Sequence, residues 1–138
     1  TRFGILMDPL ADKILVCSAF IAFVELGQMQ AWMVVVIVTR ELAITGLRLL
    51  AASQNLVLAA EGFGKHKTIS QIVCISAVLT SLAYPTWGGW ARVLFEFPAG
   101  APWVVWFTEA SKWAAVALTL LSGSIYLWRN RGLFMRDV

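Results

Sequence analysis

Charge is scarce in this chain. Only 14% of its 138 residues are Asp, Glu, Lys or Arg, which excludes an intrinsically disordered segment. Cysteine is nearly absent. Cys17 and Cys74 each sit inside an apolar run, without a CxxC partner or a neighbouring histidine cluster. A disulfide scaffold and a zinc site are therefore excluded, and both thiols are read as packing residues. There is no Gly-X-Y period, no repeat of 20–50 residues and no low-complexity tract, so collagen and solenoids are excluded as well. No dense basic run or basic stripe interleaved with exposed aromatics occurs. A nucleic-acid partner is set aside despite the net charge of +3 and the isoelectric point near 9.2. No charged stretch precedes an apolar one at the start, so no signal peptide is expected. Thr1 is not an initiator Met and Thr1 to Gly4 read as the end of a loop. The chain is expected to be a piece of a longer protein.

What the sequence does have is apolar surface. Hydrophobic residues make up 59% of it, with seven Trp and eight Phe, and the mean hydropathy is +0.76. A soluble domain of this size could not hide so much, because a small domain leaves much of its surface wet. The expected fold is all-α, a polytopic bundle of transmembrane helices. A helix needs about 20 residues to cross roughly 30 Å of hydrocarbon. Four segments fit: 8–28, 31–53, 68–84 and 103–128. Asp8 before Pro9 reads as an N-cap with Pro at the first helical position. Thr68 and Gln71 have capping-box spacing. Tyr84-Pro85 and Gly88-Gly89 end the third span, and Asn130 to Gly132 end the fourth. The stretch 85–102 reads as a loop whose Trp87 and Trp90, with Trp103 and Trp106 after it, form an interfacial belt. Arg2, Lys13, Lys65, Lys67, Arg129, Arg131 and Arg136 fall on one side and Arg92 on the other. The first side is predicted to be cytoplasmic.

Ionisable groups inside a membrane span are costly, so they face an interior and usually serve a purpose. Asp8 and Asp12 are four apart, which on a helix puts both carboxylates on one face. Such a pair repels unless a cation or a proton lies between them. Oxygen-only ligation favours Mg²⁺, Mn²⁺ or Ca²⁺ over zinc. The plainer alternatives are a helix cap at Asp8 and an ion pair from Asp12 to Lys13 or Arg2. Arg40 and Arg48 are two turns apart and share a face, while Glu41 is offset by about 100°. These three fit either an internal ion pair that fixes helix packing or a phosphate site, since guanidinium binds phosphate bidentately. Gly64-Lys65-His66-Lys67-Thr68 fits a positive anchor, or a source of charge for a phosphate at a helix N-terminus. His66 reads as solvated. Together the carboxylate pair and the basic set describe a cytoplasm-facing cavity for phosphoryl-type chemistry on a lipid or a small phosphorylated substrate.

These residues resemble a known family. Gly4-x3-Asp8-x3-Asp12, within Arg2-Phe3-Gly4-Ile5-Leu6-Met7-Asp8-Pro9-Leu10-Ala11-Asp12-Lys13, is similar to the second half of the CDP-alcohol phosphatidyltransferase signature, D-x2-D-G-x2-A-R-x8-G-x3-D-x3-D. The wording of that stretch, Thr39-Arg40-Glu41 and Gly64-Lys65-x-Lys67-Thr68 resemble the branch that takes glycerol 3-phosphate as acceptor. The likeness is clearest from Arg2 to Thr68, and the last two spans match in general character only. The resemblance implies a six-span fold of which this chain holds spans three to six. It also implies a magnesium- or manganese-dependent transferase of the inner (cytoplasmic) membrane, usually a homodimer, acting on CDP-diacylglycerol and glycerol 3-phosphate. Asp8 and Asp12 would ligate the metal, and Asp12 would be the general base. Gly4 and Asp8 would meet the nucleotide. Arg40, Arg48, Lys65 and Lys67, assisted by Thr68, would hold the acceptor phosphate. D-x2-D-G-x2-A-R does not occur in this chain. Two of four signature aspartates are thus missing, and the chain alone is expected to be inactive. An inositol-phosphate acceptor, a transporter lined by Arg40 and Asp12, and a remnant that only packs in the membrane are the alternatives.

Overall fold

Apolar residues with good helix propensity fill long uninterrupted runs here, and in lipid a helix is the one open-ended structure that satisfies its own backbone. The computed structural model describes residues 2–53, 63–96 and 102–131, with the side chains of 2–10, 12, 50, 53 and 63–65 outside that description. It is 90% helical and has no strand among the described residues. The elements are α1 (Arg2–Glu25), α2 (Ala31–Ser53), α3 (Phe63–Ala83), a 3-10 turn (Tyr84–Thr86), α4 (Gly89–Phe95) and α5 (Trp103–Arg129).

The bounds expected for helices at 31–53 and 103–128 match α2 and α5 to within a residue at each end. Two of the expected helix starts do not hold. α1 begins at Arg2, so Asp8 and Pro9 lie inside a helix and Asp8 is not a cap. Proline within a helix gives up one backbone bond, a loss that helices packed in a membrane tolerate. α3 begins at Phe63, which places Thr68 in its second turn and not at its cap. The stretch 85–102 also differs from a plain loop, because it contains α4. The other boundaries follow local chemistry. After α1, Gly27 takes φ +67° while Gly27 N–H donates to Val24 O at 3.0 Å and Gln28 N–H to Phe23 O at 2.8 Å. That is the left-handed glycine stop of a helix. After α5, both the backbone N–H and the side-chain amide of Asn130 donate to Tyr126 O, at 3.1 and 2.8 Å.

Contacts fix the directions. Lys13 of α1 meets Glu41 of α2, and Thr108 of α5 donates to Ala77 O of α3 at 3.2 Å. Trp32 of α2 packs on Trp113 of α5 at 5.8 Å, and Arg40 reaches Gly123. α1 and α3 therefore run opposite to α2 and α5. The start of α1, the end of α2, the start of α3 and the end of α5 share one end of the bundle. The core joins Phe20 and Phe23 of α1, Met33 and Ile37 of α2, Cys74 and Val78 of α3, and Ala115 and Val116 of α5. Of the small residues on α5, Ala115, Ser122 and Gly123 are buried against the bundle, and Ala114 and Ser124 are exposed. Leu15, Leu42, Val93, Trp106 and Trp128 are among many large apolar side chains on the outside.

Among the described residues, the helical stretches His66–Thr86 and Trp103–Arg129 are long and apolar enough to cross a membrane. α2 carries Arg40, Glu41 and Arg48 in its interior, and hydropathy alone does not credit their pairing. The α1–α2 hairpin is also displaced along the bundle. Its turn meets α5 at Lys112, whose Nζ donates to Gln28 O at 2.6 Å and to Glu109 at 2.5 Å. Lys112 is nine residues past the start of α5, about 13 Å along its axis. Around this clasp lies a cavity of about 230 Å³ lined by Gln28, Gln30, Glu109 and Lys112 among others. At the same end of the bundle, beyond the clasp, Trp87 stacks on Trp90 at 6.4 Å, and Tyr84 and Trp103 each lie tilted against Phe95 at 5.6 and 5.7 Å. Trp103 Nε1 donates to Leu94 O at 2.9 Å, tying α4 to α5.

Candidate functional site

Arg40 and Glu41 are neighbours on α2, so they point about 100° apart. Glu41 turns toward α1 and α3, and Arg40 turns toward α5. The Glu41 side chain is only 6% exposed. Three cations surround it. Lys13 Nζ lies 3.2 Å from Oε2, Arg40 Nη1 lies 3.4 Å from Oε1, and Lys67 Nζ of α3 also pairs with Oε1. Thr45 Oγ1 donates to Glu41 O at 2.8 Å, and Ser70 Oγ to Lys67 O at 2.7 Å. A buried carboxylate is tolerable only when paired and hydrogen-bonded. Glu41 thus gathers nitrogen donors from three helices at one place, a donor set that suits a phosphate.

Along α1 the cluster adjoins the positions of Asp8 and Asp12. Asp12 directly precedes Lys13, and Asp8 lies one turn nearer the start of α1, both within one continuous helix. Their side chains, like that of Lys65, lie outside the described residues, as does any contact they make. Backbone placement supports the shared face, and their oxygen donors suit a hard divalent cation. Two carboxylates supply only part of a six-coordinate shell. Glu41 does not complete it, since its oxygens are taken by cations. Among the described residues no group of three His, Cys, Asp or Glu side chains forms a metal cluster.

The expected phosphate set divides. Arg40 and Lys67 converge on Glu41. Arg48 does share the α5-facing side with Arg40, but it lies about 12 Å further along α2, over the Tyr126 ring at 5.8 Å. Thr68 is exposed at the α3 end, next to Lys67, and so is His66. Gly4 is in the first turn of α1. Sequence reasoning missed two members of the site: Lys13 as a partner of Glu41, and α5 as its back wall. Between α2 and α5 a groove of about 320 Å³ is lined by Thr39, Arg40, Thr119, Gly123, Ser124 and apolar neighbours. Gln71 Nε2, Thr119 Oγ1 and Tyr126 OH are buried without a hydrogen-bond partner among the described residues.

Comparison with known proteins agrees with the motif reading. The family model for CDP-alcohol phosphatidyltransferase matches residues 1–121. A Bacillus subtilis (strain 168) protein named CDP-diacylglycerol–glycerol-3-phosphate 3-phosphatidyltransferase is 41% identical over 131 residues, covering 94% of this chain and 60% of that protein. A probable phosphatidylglycerophosphate synthase of Mycobacterium tuberculosis (strain ATCC 25618 / H37Rv) is 42% identical over 85 residues, covering 62% of this chain and 40% of its own length. A Cereibacter sphaeroides protein with the same name as the Bacillus one is 27% identical over 160 residues, covering 99% of this chain and 72% of that protein. The chain thus spans about 60% of the length of the Bacillus relative.

Proposed function

The chain belongs to the CDP-alcohol phosphatidyltransferase family, and from that premise we propose that it serves phosphatidyl transfer from CDP-diacylglycerol to glycerol 3-phosphate. The observation that carries the choice of a phosphorylated acceptor is the convergence of Lys13, Arg40 and Lys67 on the single carboxylate of Glu41. Serine or choline, which carry no phosphate, would need fewer positive groups. The names of the relatives favour glycerol 3-phosphate over inositol phosphate.

In this reading the 1-hydroxyl of glycerol 3-phosphate attacks the β-phosphorus of CDP-diacylglycerol, the bond to the CMP oxygen breaks, and phosphatidylglycerol phosphate forms. Arg40 and Lys67 hold the acceptor phosphate, with Lys65 and Thr68 at the start of α3 beside them. Arg48, two turns further out, draws the anion in. Asp12 accepts the proton of the attacking hydroxyl. Family members are generally dependent on a divalent metal. Asp8 and Asp12 would hold it here, and magnesium or manganese would supply charge neutralisation at the phosphates. An unperturbed aspartate, with pKa about 3.9, is a weak base, so the polarised site must ease proton removal. Gly4 lets the nucleotide approach the backbone closely. We place all four long helices across an inner membrane, with the site facing the cytoplasm, and read the working form as a homodimer.

Labelled glycerol 3-phosphate incorporation into lipid, measured in membranes carrying the full-length protein, tests the reading. Asp12→Asn should lower the rate by roughly 10²–10⁴, the usual loss on removing a general base. A rate within twofold of the parent would remove Asp12 from the mechanism. Incorporation of an inositol phosphate in place of glycerol 3-phosphate would overturn the acceptor.

A further inference from the structure

Glycine inside a helix costs stability relative to alanine, because it adds freedom to the unfolded chain and buries nothing. Gly123 lies well inside α5 and has ordinary helical backbone, so no turn geometry calls for it. What calls for it is space. A Cβ at Gly123 would stand 3.0 Å from Arg40 Cγ and 4.0 Å from Arg40 Nε. The stem of Arg40 lies in the notch left by the missing side chain. At its other end, Nη1 lies 3.4 Å from Glu41. The guanidinium is therefore bracketed between the surface of α5 and the carboxylate on its own helix. Gly46, the other described glycine inside a long helix near this site, has nothing within 4 Å of such a Cβ.

We propose that Gly123 is a positioning residue for Arg40, and that α5 thereby sets the affinity of the site for its phosphorylated acceptor. This rests on the reading of Arg40 as an acceptor-phosphate ligand. The crowding falls on the stem near the backbone, not on the flexible tip. An added methyl group moves the whole guanidinium by several tenths of an ångström. Bidentate phosphate binding depends on that placement. Misplacement by 1 Å can cost about a hundredfold.

The test is a double-mutant cycle in the full-length protein, reading KM for glycerol 3-phosphate, KM for CDP-diacylglycerol, and kcat. Gly123→Ala should raise KM for glycerol 3-phosphate about tenfold, with the other two constants within about twofold. Gly46→Ala, the control, should change none of the three. In an Arg40→Ala background, where no Cγ remains to displace, Gly123→Ala should add nothing. An unchanged acceptor KM in Gly123→Ala, or the same rise persisting without Arg40, overturns the proposal. If Arg40→Ala by itself leaves the acceptor KM unaltered, the phosphate-ligand reading has failed and takes this one with it. Should Gly123→Ala fail to fold, the double mutant decides. Folding restored by Arg40→Ala supports the contact, and a double mutant that also fails to fold refutes it.

Discussion

Glu41 is the residue on which the candidate site depends. Its carboxylate offsets three cations drawn from three helices, in surroundings where water cannot replace it. Breaking a buried ion pair by removing one partner typically costs about 3–5 kcal/mol, because the remaining charge is stranded. Glu41→Gln should therefore lower stability by about that much in thermal or denaturant unfolding in detergent. Lys13 is the most exposed of the three cations, with 29% of its side chain accessible, and Glu41 keeps two partners without it. Lys13→Met should cost less than about 1 kcal/mol. Equal losses in the two variants would mean that Glu41 is not the hub. The sequence already marked Arg40 and Glu41 as charges too deep to be idle. Which cations Glu41 gathers was not legible, because partners 28 and 26 residues away depend on how helices are set against one another.

The helices themselves were legible. Long apolar runs and their stop signals gave α2 and α5 nearly residue for residue. The starts of α1 and α3 were less so. Pro9 and Thr68 carry the local marks of a helix beginning, yet α1 starts at Arg2 and α3 at Phe63, so both helices extend past them. α4 was hidden because seven residues between glycines and prolines look like loop. The displacement of the α1–α2 hairpin was not readable either, since it is held by one clasp, Lys112 on Gln28 O and Glu109. Hydrogen bonds to a charged group contribute about 1.5–3 kcal/mol. Lys112→Met should destabilise the protein by that amount and leave the acceptor KM unchanged, because the clasp lies about 16 Å along α5 from Gly123. A change in acceptor KM would show that the hairpin's depth tunes the site. Unaltered stability would mean that the clasp holds nothing.

At the scale of the molecule, the charge asymmetry of the sequence predicts how the bundle meets the membrane. The helix directions bring the start of α3 and the end of α5 to one end of the bundle, and α4 to the other. Single cysteines at His66, Arg131 and Glu96, in a background without Cys17 and Cys74, test the orientation with an impermeant thiol reagent on sealed vesicles. His66→Cys and Arg131→Cys should react from the cytoplasmic face and Glu96→Cys from the opposite one. Labelling of all three from the same face would rule out crossing by α3 and α5.

The sequence by itself determined the class of the molecule, because hydropathy and helix length are additive along a chain. It also carried the family resemblance, because Gly4-x3-Asp8-x3-Asp12 is a local motif that can be read along the chain, and the family model matches residues 1–121. Tertiary structure alone decided what the buried charges do. Lys13, Glu41 and Lys67 come from separate helices, and only their rotation and axial register bring the charges within 4 Å. The same holds for Gly123, whose missing side chain has no meaning until Arg40 of another helix is laid across it.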